Sequence, residues 1–152
     1  MAELPPSPAP AAREAWSRHL GRSVYPDELR ASLAEGSLPL AFAEAAATAG
    51  DRDALAIAGE RVTHAELDAR AARAAGWLRA NGVTRGDRAI ISGPNSIAFV
   101  VGYLALLRAG VVVVPAGVGL TRHELARLAE AAEPVVTLAA GPTLAAWREI
   151  GN

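Results

Sequence analysis

The sequence contains no cysteine, which removes disulfide frameworks, thiol nucleophiles, zinc–thiolate sites and iron–sulfur clusters together. It contains no lysine either, since all 15 basic residues are arginine. A phosphate-loop lysine, a Schiff-base lysine or a catalytic lysine therefore cannot come from this chain. Charge of one sign is not in excess: 15 basic residues stand against 16 acidic ones, the net charge is −1, and no block of like charge occurs. Electrostatics thus gives no case for nucleic acid or an anionic membrane. Aromatics are sparse, and Trp16, Trp77 and Trp147 lie too far apart for a stacking platform, so they read as packing residues. No G-x-S-x-G elbow is present, and His19, His64 and His123 have no second ligand at metal spacing.

What is present is a chain of 152 residues, 51% hydrophobic and 20% charged, a composition that excludes wholesale disorder and fits one folded domain. Met1 to Ala12, rich in Pro and Ala, lacks the cationic start and apolar core of a signal peptide and reads as a disordered tail. Residues 13–37 carry two short helical patterns, anchored by Trp16, Leu20, Leu29 and Leu33, and read as a helical extension. The apolar stretch Ile97 to Leu120 is long enough to span a bilayer. Arg108 near its centre would cost roughly 2.5–3.5 kcal/mol there, and Gly110 and Pro115 punctuate it, so a buried helix followed by a buried strand is the better reading. Cytoplasmic localisation follows as the expectation.

An Ala-rich helix is expected over Leu38 to Ala49, then a hairpin pairing Ala54–Ile57 with Arg61–Thr63 across Ala58-Gly59-Glu60. Thr63 and Glu66 have capping-box spacing, and Ala65, Leu67, Ala71, Ala74, Ala75 and Leu78 line one face of a helix ending at Asn81-Gly82. Next come strand Arg88–Ser92, helix Ser96–Ala109, strand Val111–Val114, helix Thr121–Ala132, strand Val135–Leu138 and helix Thr143–Glu149. Continuously apolar strands joined by helices of ten or more residues indicate an α/β fold, a parallel sheet with helices on both faces. Ligands of such sheets sit beyond the strands' carboxyl ends, which singles out Ser92, Gly93, Asn95 and Ser96, with Asn95 or Ser96 capping the following helix. An ordinary βα turn explains the same residues, because the Gly-rich spacing of a phosphate or dinucleotide loop is missing. The same caution applies to Pro115-Ala116-Gly117-Val118-Gly119. The residues themselves give an α/β domain without a complete active site.

A resemblance goes further. Asp51-Arg52-Asp53-Ala54-Leu55 resembles the "D-R-P-A-L" strand of adenylate-forming enzymes, the superfamily of acyl-CoA synthetases, peptide-synthetase adenylation domains and luciferases. Val62-Thr63-His64-Ala65-Glu66-Leu67 is similar to "L-T-Y-x-E-L", with His64 in place of Tyr, and Gly82 to Arg88 is similar to "G-V-x-x-G-D-R-V". Pro94-Asn95-Ser96, Phe99, Tyr103 to Gly110 and Val114-Pro115 resemble "P-N-S-x-x-F…Y-L-A-L-L-K-A-G…V-P", in the form of the carboxylate–CoA ligase branch. After Pro115 the family's Asn, Pro and Arg are absent.

The resemblance implies a two-step reaction in the whole enzyme. ATP and a carboxylic acid give an acyl-adenylate and pyrophosphate with Mg2+ assisting, and the thiol of coenzyme A then displaces AMP. The family uses for this a Ser/Thr/Gly-rich loop ending in Lys, an acidic residue on the ribose and a C-terminal Lys, none of which matches a position here. Residues 38–152 are thus expected to be the first part of the N-terminal domain of an acyl-CoA synthetase, inactive alone, with Ser92, Gly93, Asn95 and Ser96 as pocket wall and no ATP, Mg2+ or coenzyme A held by this chain alone. The alternative is a free-standing binding module, or one half of a split enzyme. In either case the sheet keeps an unpaired edge, open to the rest of the enzyme, a complementing chain or a second copy.

Overall fold

The computed structural model describes residues 37–150; the expected tail and helical extension lie outside these residues. Helix α1 (Leu38–Thr48) leads to hairpin strands β1 (Asp53–Ile57) and β2 (Glu60–Thr63), and then to α2 (His64–Ala80). Three βα units follow: β3 (Arg88–Ser92) with α3 (Ile97–Ala109), β4 (Val112–Ala116) with α4 (Arg122–Ala132), and β5 (Val136–Ala139) with α5 (Thr143–Ile150).

The hairpin turn is tighter than expected. Glu60 belongs to β2 and pairs with Ile57, leaving Ala58 and Gly59 as the two turn residues, at φ 54° and 86°. Two central residues at positive φ match the right-handed twist of the flanking strands. Thr63 then caps α2: its hydroxyl accepts from Glu66 N at 3.2 Å while the Glu66 carboxylate accepts from Thr63 N at 3.1 Å. Leu67, Ala71, Ala75 and Leu78 form the buried stripe of α2, while Ala74 is half-buried and Ala65, expected on that face, is exposed. Trp77 also departs from the packing role, at 61% exposed, because the Leu67–Ala71–Ala75–Leu78 stripe turns position 77 away from the core.

The second sheet has the order β4-β3-β5, and β3 is parallel to both neighbours, with Ile90 beside Val114 and Thr137. Alternation along β3 divides its side chains between two layers. Ala89 and Ile91 pack with Ala75 and Leu78 of α2 and Ala105, Leu106 and Ala109 of α3. Ile90 packs on the other face with Leu125 and Ala132 of α4 and Trp147 of α5. A third cluster, Val62, Leu67, Ala71, Ile97 and Leu104, with Phe42 against it, fixes the hairpin and α1 to the α2–α3 pair.

Strand β4 continues through Pro115 to Ala116, beyond the expected end at Val114. Proline has no N–H to give, and β4 is an edge strand that can turn that position outward. Arg108, the residue that argued against a bilayer, reaches from α3 to Asp68 of α2 at 2.6 Å, and Arg79 donates to the Arg108 carbonyl. Among the described residues no helix is long and apolar enough to cross a membrane. Gly110 closes α3 at φ 82°, where a Cβ would stand 2.9 Å from Arg85 Cγ. Glycine is required there both for the left-handed backbone and for room.

Candidate functional site

The strand order places β3 between crossovers that leave in opposite directions, so the crevice such sheets offer to ligands would open beyond the carboxyl ends of β3 and β5. Here the two loops that leave those strands fill it with each other. A Cβ on Gly93 would meet the Ala140 Cβ at 3.3 Å, and one on Gly141, itself at φ 60°, would meet Pro94 Cδ at 3.2 Å. Ala140 N donates to the Ser92 carbonyl at 2.9 Å. The Thr143 hydroxyl, 3.1 Å from the same carbonyl and 2.9 Å from the Ala140 carbonyl, shares its proton between them.

The four residues singled out by sequence therefore separate. Ser92 faces the α4/α5 layer with Ile90 and is 1% exposed, and its hydroxyl has no hydrogen-bond partner among the described residues. Gly93 is half-buried against Ala140. Ser96 caps α3 by accepting from Phe99 N at 3.1 Å, which decides between the two capping candidates, and Asn95 stays exposed. Trp147, which sequence reasoning treated only as packing, carries a second buried donor without a partner, its indole Nε1. No pattern in the sequence marks that atom, because its surroundings come from β3, α4 and α5 together.

The open concavity lies to the side of these loops. A cavity of about 470 Å³ runs along the outer edge of β5, which is unpaired among the described residues, and is lined by Ile91, Phe99 and Gly102 from one layer and by Leu144 and Trp147 from the other. Its walls are mainly apolar, with Arg148 of α5 also lining it, and consecutive residues Thr137 to Ala140 contribute to it, as a strand unpaired among the described residues and flanked by two helices must. Among the described residues no three His, Asp or Glu side chains converge to hold a metal ion. His64 stacks on Phe42 with centroids 6.2 Å apart, and its Nδ1 lies 3.0 Å from the Arg52 carbonyl. Since a carbonyl only accepts, that nitrogen carries the ring proton. Among the described residues one carboxyl is shifted from its ordinary value: the pKa of Glu124 is lowered by the backbone N–H of Thr121 and then by the Thr121 hydroxyl, both bonding its charged form.

Residues 42–150 match the AMP-binding enzyme family. The chain belongs to that family. It is 38% identical over 138 residues to the salicyl-AMP ligase / salicyl-S-ArCP synthetase of Mycobacterium tuberculosis, a match covering 83% of this chain and 24% of the relative. It is 41% identical over 103 residues to a feruloyl-CoA synthase of an Amycolatopsis species, covering 60% of this chain and 21% of that protein. A solved structure described as a long-chain-fatty-acid CoA ligase of Rhodopseudomonas palustris superposes with a TM-score of 0.72 at 28% identity, over 76% of this chain and 29% of that one. The chain thus spans about a quarter of the length of these AMP-binding relatives. Its mixed α/β architecture, a parallel sheet between helical layers, is the architecture expected of the N-terminal part of an adenylate-forming enzyme.

Proposed function

We propose that this chain is the N-terminal part of an ATP-dependent acyl-CoA synthetase, and that it acts as scaffold within it. The observation that carries the reading is the family match from residue 42 to residue 150, on a parallel sheet covered by helices. The complete reaction joins a carboxylate to the α-phosphate of ATP with loss of pyrophosphate, after which the thiol of coenzyme A takes the acyl group and AMP leaves. The residues present here do not fit ATP or Mg2+. The chain offers no lysine for developing phosphate charge, and its described acids form no metal cluster. No step of the reaction is therefore assigned to this chain, and its contribution is to hold the loop after β3 and the edge of β5 in place for the rest of a cytoplasmic enzyme. In this reading Gly93, Asn95 and Ser96 form a pocket wall and Ser92 supports it from beneath.

The test is acid-dependent ATP–pyrophosphate exchange. The 152-residue chain should show none with aliphatic or aryl carboxylic acids. A chimera in which residues 42–150 replace the matching segment of a feruloyl-CoA synthase should retain exchange and thioester formation. Exchange by the chain alone, or a folded chimera that binds ATP but never forms an adenylate, would overturn the proposal.

A further inference from the structure

We propose that the groove between α2 and α3 is a docking surface for an acidic amphipathic helix of a partner protein. One wall is α2, where Arg70, Arg73 and Trp77 recur at a spacing of three and then four residues and so project from the same side. The apolar lining is mostly of small side chains, Ala74 of α2 with Ala98, Val101 and Gly102 of α3 beside Ile97, and Glu60 of the hairpin also lines it. The groove is open to solvent and has a volume of about 620 Å³. Trp77 lies one turn beyond Arg73, its indole 61% exposed.

The charge of this wall is uncompensated by its own helix. Glu66, four residues before Arg70, is held by Thr63 N in the capping box, and Asp68 is engaged by Arg108. Four residues beyond Arg70 stands Ala74, and the corresponding neighbours of Arg73 are Ala69 and Trp77. Among the described residues Arg70 and Arg73 make no ion pair, and both are exposed. Glu60 pairs with neither.

The occupant that fits two arginines above a floor of alanine and glycine is a helix. Small side chains let a third helix backbone approach the α2–α3 pair, and the seven-residue step from Arg70 to Trp77 rises about 10 Å, two turns. A partner helix with carboxylates three or four residues apart would face both arginines while its neighbouring apolar stripe covers Ala98 and Val101. Arginine and tryptophan are among the side chains that most often dominate such contacts. The groove meets the cavity beside β5 at Ala98 and Gly102, which line both, but it takes no residue from the loop after β3 or from β5 itself, and it does not rest on the adenylate-forming reading.

The test titrates the full 152-residue chain into a fluorescein-labelled helical peptide of about five turns, carrying paired Glu residues beside an Ala/Leu stripe, and follows anisotropy. A scrambled peptide of identical composition is the control. Saturable binding is expected, at least tenfold tighter than for the scrambled peptide. Arg70→Glu/Arg73→Glu should weaken it at least tenfold, and Ala98→Glu, which blocks the floor at an exposed position, should do the same. Circular-dichroism melts confirm that the variants fold. Equal binding of both peptides would show charge attraction without docking and overturn the proposal, as would variants that bind like the parent chain. Self-association abolished by Arg70→Glu/Arg73→Glu would make a second copy the occupant and overturn the assignment of a partner helix.

Discussion

Glu124 shows how a single exposed carboxylate is tied to folding. Its carboxylate accepts from Thr121 N at 2.8 Å and from the Thr121 hydroxyl at 2.7 Å, bonds that only the charged form can accept in full. Its folded pKa therefore lies below the ordinary 4.5, with the backbone bond the larger cause. The unfolded chain binds the proton more readily than the folded one. The contribution of Glu124 is thus complete above its ordinary pKa and is lost as pH falls through the depressed folded value. Melting temperatures of the parent chain and Glu124→Ala should differ by a constant amount from pH 7 down to about 5 and converge at more acid pH. A difference that persists unchanged into strong acid would show that the carboxylate's charge contributes nothing.

The helices and strands were legible where one local pattern determines each. Thr63 with Glu66 announces the start of α2, and the same spacing at Thr121 and Glu124, not used in reading the sequence, closes a second capping box on α4. Element ends in the sheet were less legible because pairing decides them: β4 continues through Pro115 only since the sheet order makes β4 an edge. Trp77 departs from a packing role because wide separation from Trp16 and Trp147 argues only against a stacking platform, while the phase of α2 turns this indole outward. Two substitutions separate cap from core within α2. Thr63→Ala removes the hydroxyl acceptor of the capping box and should destabilise by about 1 kcal/mol. Leu67→Ala empties a position 1% exposed in the cluster with Val62, Ala71, Ile97 and Leu104 and should cost about 2–5 kcal/mol. Urea melts of the two variants rank them, and a smaller loss for Leu67→Ala than for Thr63→Ala would mean that the cap, not the apolar stripe, holds α2 in place.

At the scale of the whole molecule, the candidate site was legible as a location but not as an environment. Ser92 and Gly93 do end a parallel strand. That the Ala140–Gly141 turn would pack into their crevice depends on which strand lies beside β3, and nothing in the run Ser92 to Ser96 encodes it. The same strand order puts β5 at the margin of the sheet, with a mainly apolar cavity of about 470 Å³ along it. An edge unpaired among the described residues, between two helical layers, is a template for another strand, and a second copy of the chain offers one. Sedimentation velocity should therefore show an average mass that rises with protein concentration. Thr137→Lys puts a charge in the middle of β5, where a long side chain can lean over the edge and oppose pairing. The variant should remain monomeric at concentrations where the parent chain associates, with an unchanged circular-dichroism spectrum. Equal association of parent and variant would place the self-association on another surface and free the β5 edge of any role in it.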